Sequence, residues 1–423
     1  MEQIIRKAGD IDIEKVNIVT SQGVYQDIAL QVIGIQIFED IYSPFITGTI
    51  EIRDSLDLLN VFPLNGEEYL DLKLSTPTLQ NGNIDKRFYI FKMSNRIPVG
   101  DKSAIYTLHF ISVEALLDVN KRISKAFSGK CSDIAKYLLT DKVHGFQLTD
   151  KFVIEETSNS TKYISNFWSP VKNMIDVCNT SINQNGNSSY LFFESRNGFN
   201  FVSLEFLYKQ QSFQSFVYDN YVRDVLDNGT TVKNINEDYK RIRNLSIPTV
   251  YDYIERNKQG MFASKLFTYD LTTKKYNSSN YDMLDTFKNQ IHLNEFPMAS
   301  AKTTYRYNSF VIAMTKYTGN FSGYGDVTNA SSIQNRTSLL AQSNSSKIEI
   351  VIPGRLDYTV GLKVQVKIYK AEPTSNTDTE FVDNMLSGNY IISAINHYIN
   401  KNKHECTVEL IKDSLLTNLD LKK

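Results

Sequence analysis

The stretch YLDLKLST, residues 69–76, sets Leu70, Leu72 and Leu74 against Asp71 and Lys73, an alternation that predicts a strand with one buried face. Just upstream, VIGIQIFEDIYSPFITGTIEIRD (32–54) predicts a strand at each end of a Ser43-Pro44 corner. RFYIFKMSNR (87–96) and SAIYTLHFIS (103–112) follow, separated by the turn-forming PVGDK. The first third of the chain is therefore expected to be an antiparallel meander.

From about Val113 the period becomes helical. CSDIAKYLLTDKV (131–143) places Ile134, Leu138 and Leu139 on one face, with Ser132 the expected N-cap. SPVKNMIDVCNTSI (169–182) repeats the pattern, with Pro170 near its start and Met174, Ile175 and Cys178 on one stripe. SSYLFFESRNGFNFVSLEFL (188–207) returns to two apolar-aromatic strands around an SRNG turn. Residues 220–345 are less regular, and NFSGYGDVTNASSIQNR (320–336) reads as a loop or a long excursion. Strands resume beyond 346 and run to Asp413, leaving a poorly packed tail at 414–423.

Within that last part, IEIVIPGRLDYTVGLKVQVKIY (348–369) holds a strand, a Pro353-Gly354 turn, and a second strand in which Leu362, Val364, Val366 and Ile368 alternate with Lys363, Gln365 and Lys367. Three segments of the first third find partners here in the same order. YIFKMSNR (89–96) aligns with YIISAINH (390–397), TLHFIS (107–112) with TVELIK (407–412), and GEEYLDLKL (66–74) with GLKVQVKIY (361–369). The nearly constant offset suggests one β-unit written twice. Gly66, Pro353, Gly354 and Gly361 are then barrel corners, where glycine supplies a tight bend and proline ends pairing. A ligand-gripping glycine loop would open a helix onto an anion; Gly361 is followed by a strand.

A chain of 423 residues predicts about three domains, and 41% hydrophobic residues suffice to bury their cores. The charges, 47 acidic against 46 basic, give no global attraction to polyanions. Cys131, Cys178 and Cys406 are an odd set without a C-x-x-C, so neither a disulfide framework nor a zinc ribbon is expected. Residues 1–10 lack a signal-like apolar run, and no segment has the uninterrupted apolar length to span a bilayer. Sequons such as Asn159-Ser160-Thr161 then reflect composition.

Chemistry has little foothold. AFSGKCSD (126–133) faintly resembles a phosphate loop, but Ser124 stands where its first glycine belongs and Cys131 where its metal-binding Ser or Thr belongs. If the last hairpin turns at Asn400–Lys403, then Ile399 faces His404 and His397 faces Cys406 on an apolar side. Two or three ligands do not close a zinc site, which takes four, so a packed histidine is the expected state and no metal or cofactor is assigned. Glu67-Glu68 and Glu155-Glu156, if extended, point to opposite faces, no H-E-x-x-H or G-x-S-x-G occurs, and His109 and His292 lack partner motifs. No catalytic residue is named. The 25 Tyr and 24 Phe fit core packing, with room for a large protein interface.

Several segments resemble the central hub proteins of contractile phage tail baseplates, especially the T-even-like hub family. FEDIYSPFITGTIEIRDSLDLLNVFPLNGEEYLDLKLSTP (38–77) is similar to that family's first tube-like barrel, and LHFISVEALLDVNKRISKAFSGKCSDIAKYLL (108–139) to its passage into the helical domain. NFWSPVKNMIDVCNTSI (166–182), followed by SSYLFFESRNGFNFVSLEFL, carries the most specific likeness. SGNYIISAINHYINKNKHECTVELIKDS (387–414) resembles the closing hairpin of the second barrel, shared more loosely with type VI secretion spike proteins. The resemblance implies an α+β, mainly β chain with two tail-tube-like antiparallel β-barrel domains. The first takes residues 1–115, a helical or α+β domain 116–205, the second barrel 206–245 with 346–413, and an inserted domain or long excursion 246–345. It implies a homotrimeric, pseudo-sixfold ring in the virion, assembled in the bacterial host cytoplasm. Its partners would be a tail tube protein or tube-adapter ring, the central spike protein, tape-measure protein and surrounding baseplate proteins, with DNA only as passing cargo. A receptor-binding or other attachment module is the alternative, ahead of a cell-wall hydrolase.

Overall fold

A computed structural model of the chain describes residues 7–218, 235–300, 306–316, 330–370 and 382–419, except 59–61, 63, 78, 80–81, 101–102, 272, 331 and 402. The first unit comprises β1 (Asp12–Val19), β2 (Tyr25–Asp27), β3 (Val32–Asp40), β4 (Thr47–Asp54), β5 (Tyr69–Ser75), β6 (Asn83–Val99) and β7 (Ser103–Ser112). They lie in the order β3-β4-β7-β6-β5-β1-β2, all antiparallel. The predicted alternation holds in β5, where Leu70, Leu72 and Leu74 enter the core with Ile50, Phe88, Tyr106 and Phe110. Full burial of each such side chain stabilises by about 1.5–3 kcal/mol. On the other face Asp71 pairs with Arg87 (2.6 Å) and Lys15 (3.1 Å).

The middle of the chain forms β8 (Ile123–Lys130), β9 (Phe152–Ile154), β10 (Ser160–Trp168), β11 (Tyr190–Ser195) and β12 (Gly198–Ser203), with helices at Cys131–Thr140 and Pro170–Thr180. Their apolar stripes meet in one core around Ile134, Leu138, Met174, Val177, Phe192 and Phe201, whereas Ile175, expected on the second stripe, is exposed. Pro170 opens its helix and Ser169 Oγ caps it, accepting from Lys172 N–H (3.3 Å). Ser132 is not the cap expected of it. Strand β8 runs directly into the helix, so Lys130 takes the N-cap position, and Ser132 is buried with its N–H given to Thr157 Oγ1 (3.1 Å).

The remaining strands are β13 (Ser215–Tyr218), β14 (Asn244–Thr249), β15 (Ala263–Asp270), β16 (Tyr276–Asp282), β17 (Phe296–Pro297), β18 (Val311–Lys316), β19 (Ser346–Pro353), β20 (Lys363–Ile368), β21 (Gly388–Asn400), β22 (Lys403–Lys412) and β23 (Ser414–Leu415). A second unit runs β14-β19-β22-β21, continuing from β21 to β20 and β13. Its core gathers Ile348, Ile350, Val364, Val366, Tyr390, Ile395 and Val408. Both units belong to one 13-stranded sheet, because β21 pairs with β3. Among the described residues no continuous ladder closes either unit into a barrel; the second comes round through a bridge, with Ile242 N–H donating to Val217 O (3.0 Å). Strands β15, β16 and β18 form a separate sheet beside a small core of Met261, Phe262, Met283 and Ala341. Of the excursion at 320–336, residues 320–329 and 331 lie outside the described residues, while 333–336 open a helix. The expected tail starts later than 414, since Ser414 and Leu415 are buried and pair with Pro297 and Phe296.

Two backbone hydrogen bonds align the units residue by residue. Ile90 N–H donates to Glu68 O (2.9 Å) in the first, Ile392 N–H to Leu362 O (3.0 Å) in the second, each beside a bulge that leaves one extra residue, Phe91 or Ser393. Ile90 thus corresponds to Ile392 and Glu68 to Leu362, one residue away from the alignment by identity, so Gly66 and Gly361 are not equivalents. Phe110 and Leu410 do correspond, and their neighbours exchange bulk. Phe110 lies opposite Gly48, while Leu410 lies opposite Ile348. A Cβ on Gly48 would come within 2.2 Å of Phe110 Cζ and 2.4 Å of Gln36 O.

Gly48→Ala should cost about 1–3 kcal/mol by overpacking, and Phe110→Leu in the same chain should return part of it, because Gln36 O remains in place. Urea unfolding of the two single variants and the double variant measures this; strictly additive costs would show that the pair is not packed as described. A second expectation concerns Lys412, fully buried in the second unit with Nζ donating to Ser387 O (3.3 Å) and Met385 O. Burial pushes its ammonium down to about 7 from 10.5, against a smaller upward pull from Asp383. Between those values the unfolded chain binds more protons than the folded one, so stability should rise with pH across the window. Urea midpoints at about pH 7.5 and about pH 9.5 should show that rise, and Lys412→Met should flatten it.

Candidate functional site

The feature that organises the molecule is the seam between β3 and β21, registered from Ala394 opposite Asp40 to Asn400 opposite Gly34. Alternation sends Ile35, Ile37 and Glu39 inward with Ile395, His397 and Ile399, all buried. Gln36, Phe38 and Asp40 point to the other face with Ala394, Asn396 and Tyr398. That face is continuous across both units. One row crosses it through Glu405, Tyr398, Gln36, Thr49, His109 and Lys92. Its charges are of both signs, and some are paired, as in Arg243 with Glu405 (2.7 Å) and Lys347 with Glu409 (3.3 Å).

Beneath the seam lies a polar cluster inside the apolar core. Glu39 Oε2 accepts from the Thr359 hydroxyl, from Arg196 N–H (3.1 Å) and from Val360 N–H (3.4 Å). Burial nevertheless holds its carboxyl above the usual range. Glu39 Oε1 has no hydrogen bond and stands 3.8 Å from His397 Nε2. The other ring nitrogen, His397 Nδ1, is 3.0 Å from His404 Nε2 and 3.2 Å from Cys406 Sγ, and the sulfur is 3.5 Å from His404 Nε2. All three residues are fully buried. Burial, helped by Arg196 and opposed by the Tyr358 carbonyl, pushes His397 down to about 4. Burial and then His397 press His404 well below its ordinary value, and burial raises the Cys406 thiol. The hairpin register puts His397 opposite Cys406 and Ile399 opposite His404, as the sequence predicts. What sequence reasoning missed is Glu39, Thr359 and Arg196, which only the tertiary fold brings to this hairpin.

A cleft of about 1030 Å³ opens where the two units meet the helical part, lined in part by Lys86, Glu194, Arg196, Phe213 and Leu362. Glu194 is buried there, paired with Lys86 Nζ and accepting Ile46 N–H (2.9 Å); burial raises its carboxyl despite both. This anchors the helical part to the first unit. Three of the adjacent glutamates are similarly engaged. Glu68 accepts from Asn65 and Gly66 N–H, Glu155 from Ser203 N–H, and Glu156 pairs with Lys130. His292 proves to have a partner, Asp413 (2.6 Å), but its Nε2 is spent on Phe287 O (3.0 Å). His109 Nε2 meets Ser94 Oγ at 2.7 Å on the outer face. AFSGKCSD is the strand-to-helix junction of β8.

The four corner residues do not come together. Gly66 (φ +93°) accepts Tyr89 Oη–H on its carbonyl at 2.6 Å. Pro353 ends β19, and Gly354 passes over the His404 ring, where a Cβ would stand 2.2 Å from Cγ. Gly361 (φ +82°) donates its N–H to Ile392 O (2.9 Å), with Phe193 Cζ 3.3 Å from the place of a Cβ.

The architecture is a mainly β, α+β chain in which two like strand units share one sheet. No family model and no curated protein matches the chain. Among solved structures it is similar to a tail protein from Neisseria meningitidis MC58, with TM-score 0.53 and 10% identity over 94% of this chain and 96% of that one. It is also similar to the 43 kDa tail protein of prophage MuSo2 from Shewanella oneidensis, with TM-score 0.52 and 8% identity over 95% and 98%. The chain therefore has the fold of these tail proteins.

Gly361→Val should lower stability by about 1–3 kcal/mol, because a branched side chain is strained at that φ and meets Phe193. Chemical denaturation tests it, and an unchanged midpoint would mean the turn relaxes freely.

Proposed function

We propose that the chain is a structural, non-enzymatic hub of a phage tail baseplate, forming a trimeric pseudo-sixfold ring in the virion. The ring would join the tail tube, or an adapter ring on it, to the central spike. It would enclose the channel for tape-measure protein and DNA, with surrounding baseplate proteins outside. The observation that carries this reading is the way β21 divides one edge. Its first residues pair with β20 of its own unit, and from Ala394 onward it pairs with β3 of the other. In the first unit β6 corresponds to β21. It pairs with β5 as far as Tyr89, and from Lys92 to Val99 no strand among the described residues lies on that edge. Strand β14, which pairs with β19 as β3 does with β4, likewise has no strand along its other edge from Asn244 to Thr249 among the described residues.

The intramolecular seam is thus a template for a second one, in which β6 of one copy receives β14 of the next. That contact is heterologous and repeats around a ring, and three chains of two units supply six similar positions for a sixfold tube. Phe91, at the bulge, and Ile97, on the open part of β6, are exposed apolar groups such a contact would cover. The charge-balanced outer face suits a conduit, since a strongly basic lumen would retain DNA. Gly66, Pro353, Gly354 and Gly361 are read as corners that bend each unit around its core.

A second reading, an attachment module, rests on the sheet of β15, β16 and β18, where Phe267, Tyr269 and Tyr276 border a concavity of about 720 Å³. Co-expression with candidate tube and spike proteins, followed by native mass and projection symmetry, separates the two. The hub reading expects a three-copy ring with sixfold-like features on one face, reduced to a folded monomer by Phe91→Glu with Ile97→Glu. A wild-type monomer that captures neither tube nor spike, or a ring untouched by those changes, would overturn it.

A further inference from the structure

Two neutral imidazoles and a thiol that converge inside an apolar core pose a problem of protons. If His397 Nδ1 carries a hydrogen and gives it to His404 Nε2, then Nε2 of His397 is a bare lone pair facing the unbonded Oε1 of Glu39. His404 Nδ1 then holds a hydrogen with no acceptor. Reversing the tautomers leaves the Cys406 S–H and His404 Nε2–H competing for a single lone pair on His397 Nδ1. Neither assignment satisfies the cluster, and buried polar groups left without partners are costly.

We propose that His397 Nδ1, His404 Nε2 and Cys406 Sγ bind a metal ion, with zinc the cation their chemistry suits best. A tetrahedral zinc with Zn–N near 2.0–2.1 Å and Zn–S near 2.3 Å separates its ligand atoms by about 3.3 Å for N to N and about 3.6 Å for N to S. The three separations here, 3.0, 3.2 and 3.5 Å, fall within a few tenths of those. A cation takes all three lone pairs at once and leaves the outer Nε2 of His397 as an N–H, with Glu39 Oε1 3.8 Å away. A carboxylate behind a ligating histidine is the usual outer support of such sites. The charge is favourable as well, because a dication offsets a buried Cys406 thiolate, while an ionised Glu39 is also met by the Arg196 guanidinium. Three protein ligands leave the fourth coordination position to a non-protein ligand. Gly354 has a role here, since any side chain at that corner would displace the His404 ring.

The site would pin the hairpin of β21 and β22 to Glu39 on β3, and it does not depend on the hub reading. Metal content of the full-length chain, purified from zinc-supplemented cultures, should be about one equivalent per chain. After exchange, cobalt should give the intense thiolate-to-metal absorption and tetrahedral bands of a cysteine-ligated site. Cys406→Ser should lose the thiolate band while keeping its circular dichroism; should that variant fail to fold, the wild-type spectrum decides alone. A folded wild-type chain without stoichiometric zinc, or one whose cobalt spectrum lacks the thiolate band, would overturn the proposal. Metal in a monomer would leave it standing while the hub reading falls.

Discussion

Everything else in the molecule depends on how one strand edge is divided. A strand has two edges, and β21 uses one for β22 while it splits the other between β20 and β3. The split falls at the bulge around Ser393, where an extra residue turns the strand away from its own unit. Without that turn β21 would remain with β20, and the two units would be separate sheets with raw edges. The seam joins residues more than three hundred positions apart, so it forms only after both units are largely built, and its loop-closure cost is met by a shared core on its inner side.

The two units keep a common register while exchanging the residues that fill it. Gly48 opposite Phe110 and Ile348 opposite Leu410 are two solutions to one packing problem, a bare glycine under a large ring or two aliphatic chains of intermediate size. This is why the duplication is faint in the sequence. Shared Tyr-Ile and Asn letters align β6 with β21 one residue away from their hydrogen-bonded correspondence, and a shift of one residue exchanges the faces of a strand. Buried positions and bulges are the conserved quantities between the units, and letters are only their occasional by-product.

Legibility therefore followed the range of the interaction. Strands β5, β7, β20 and β22 and the hairpin register of His397 with Cys406 could be read from alternation and a turn. So could the helix opened by Ser169 and Pro170, whose cap is a local hydrogen bond. Ser132 misled because a serine before an apolar stripe is a cap only if the chain enters the helix from a loop, and here a strand enters it. Glu39 was invisible as a site residue. FEDIY reads as a surface strand end, and nothing local tells that Thr359, Arg196 and His397 will close over it.

The buried polar groups at the seam have a cost that an apolar core would avoid, and their placement suggests what that cost secures. Two antiparallel edges rich in isoleucine can pair in more than one register with little loss of apolar contact. Glu39 and His397 remove that freedom. A shift of one residue would turn Glu39 away from Thr359, Arg196 and Val360 and bring Phe38 or Asp40 into the core, and a shift of two would part Glu39 from the His397 ring. A buried polar pair that meets in only one register favours specificity over stability. In a chain whose two units offer such similar edges, these groups favour one register of β3 on β21 over its slipped alternatives.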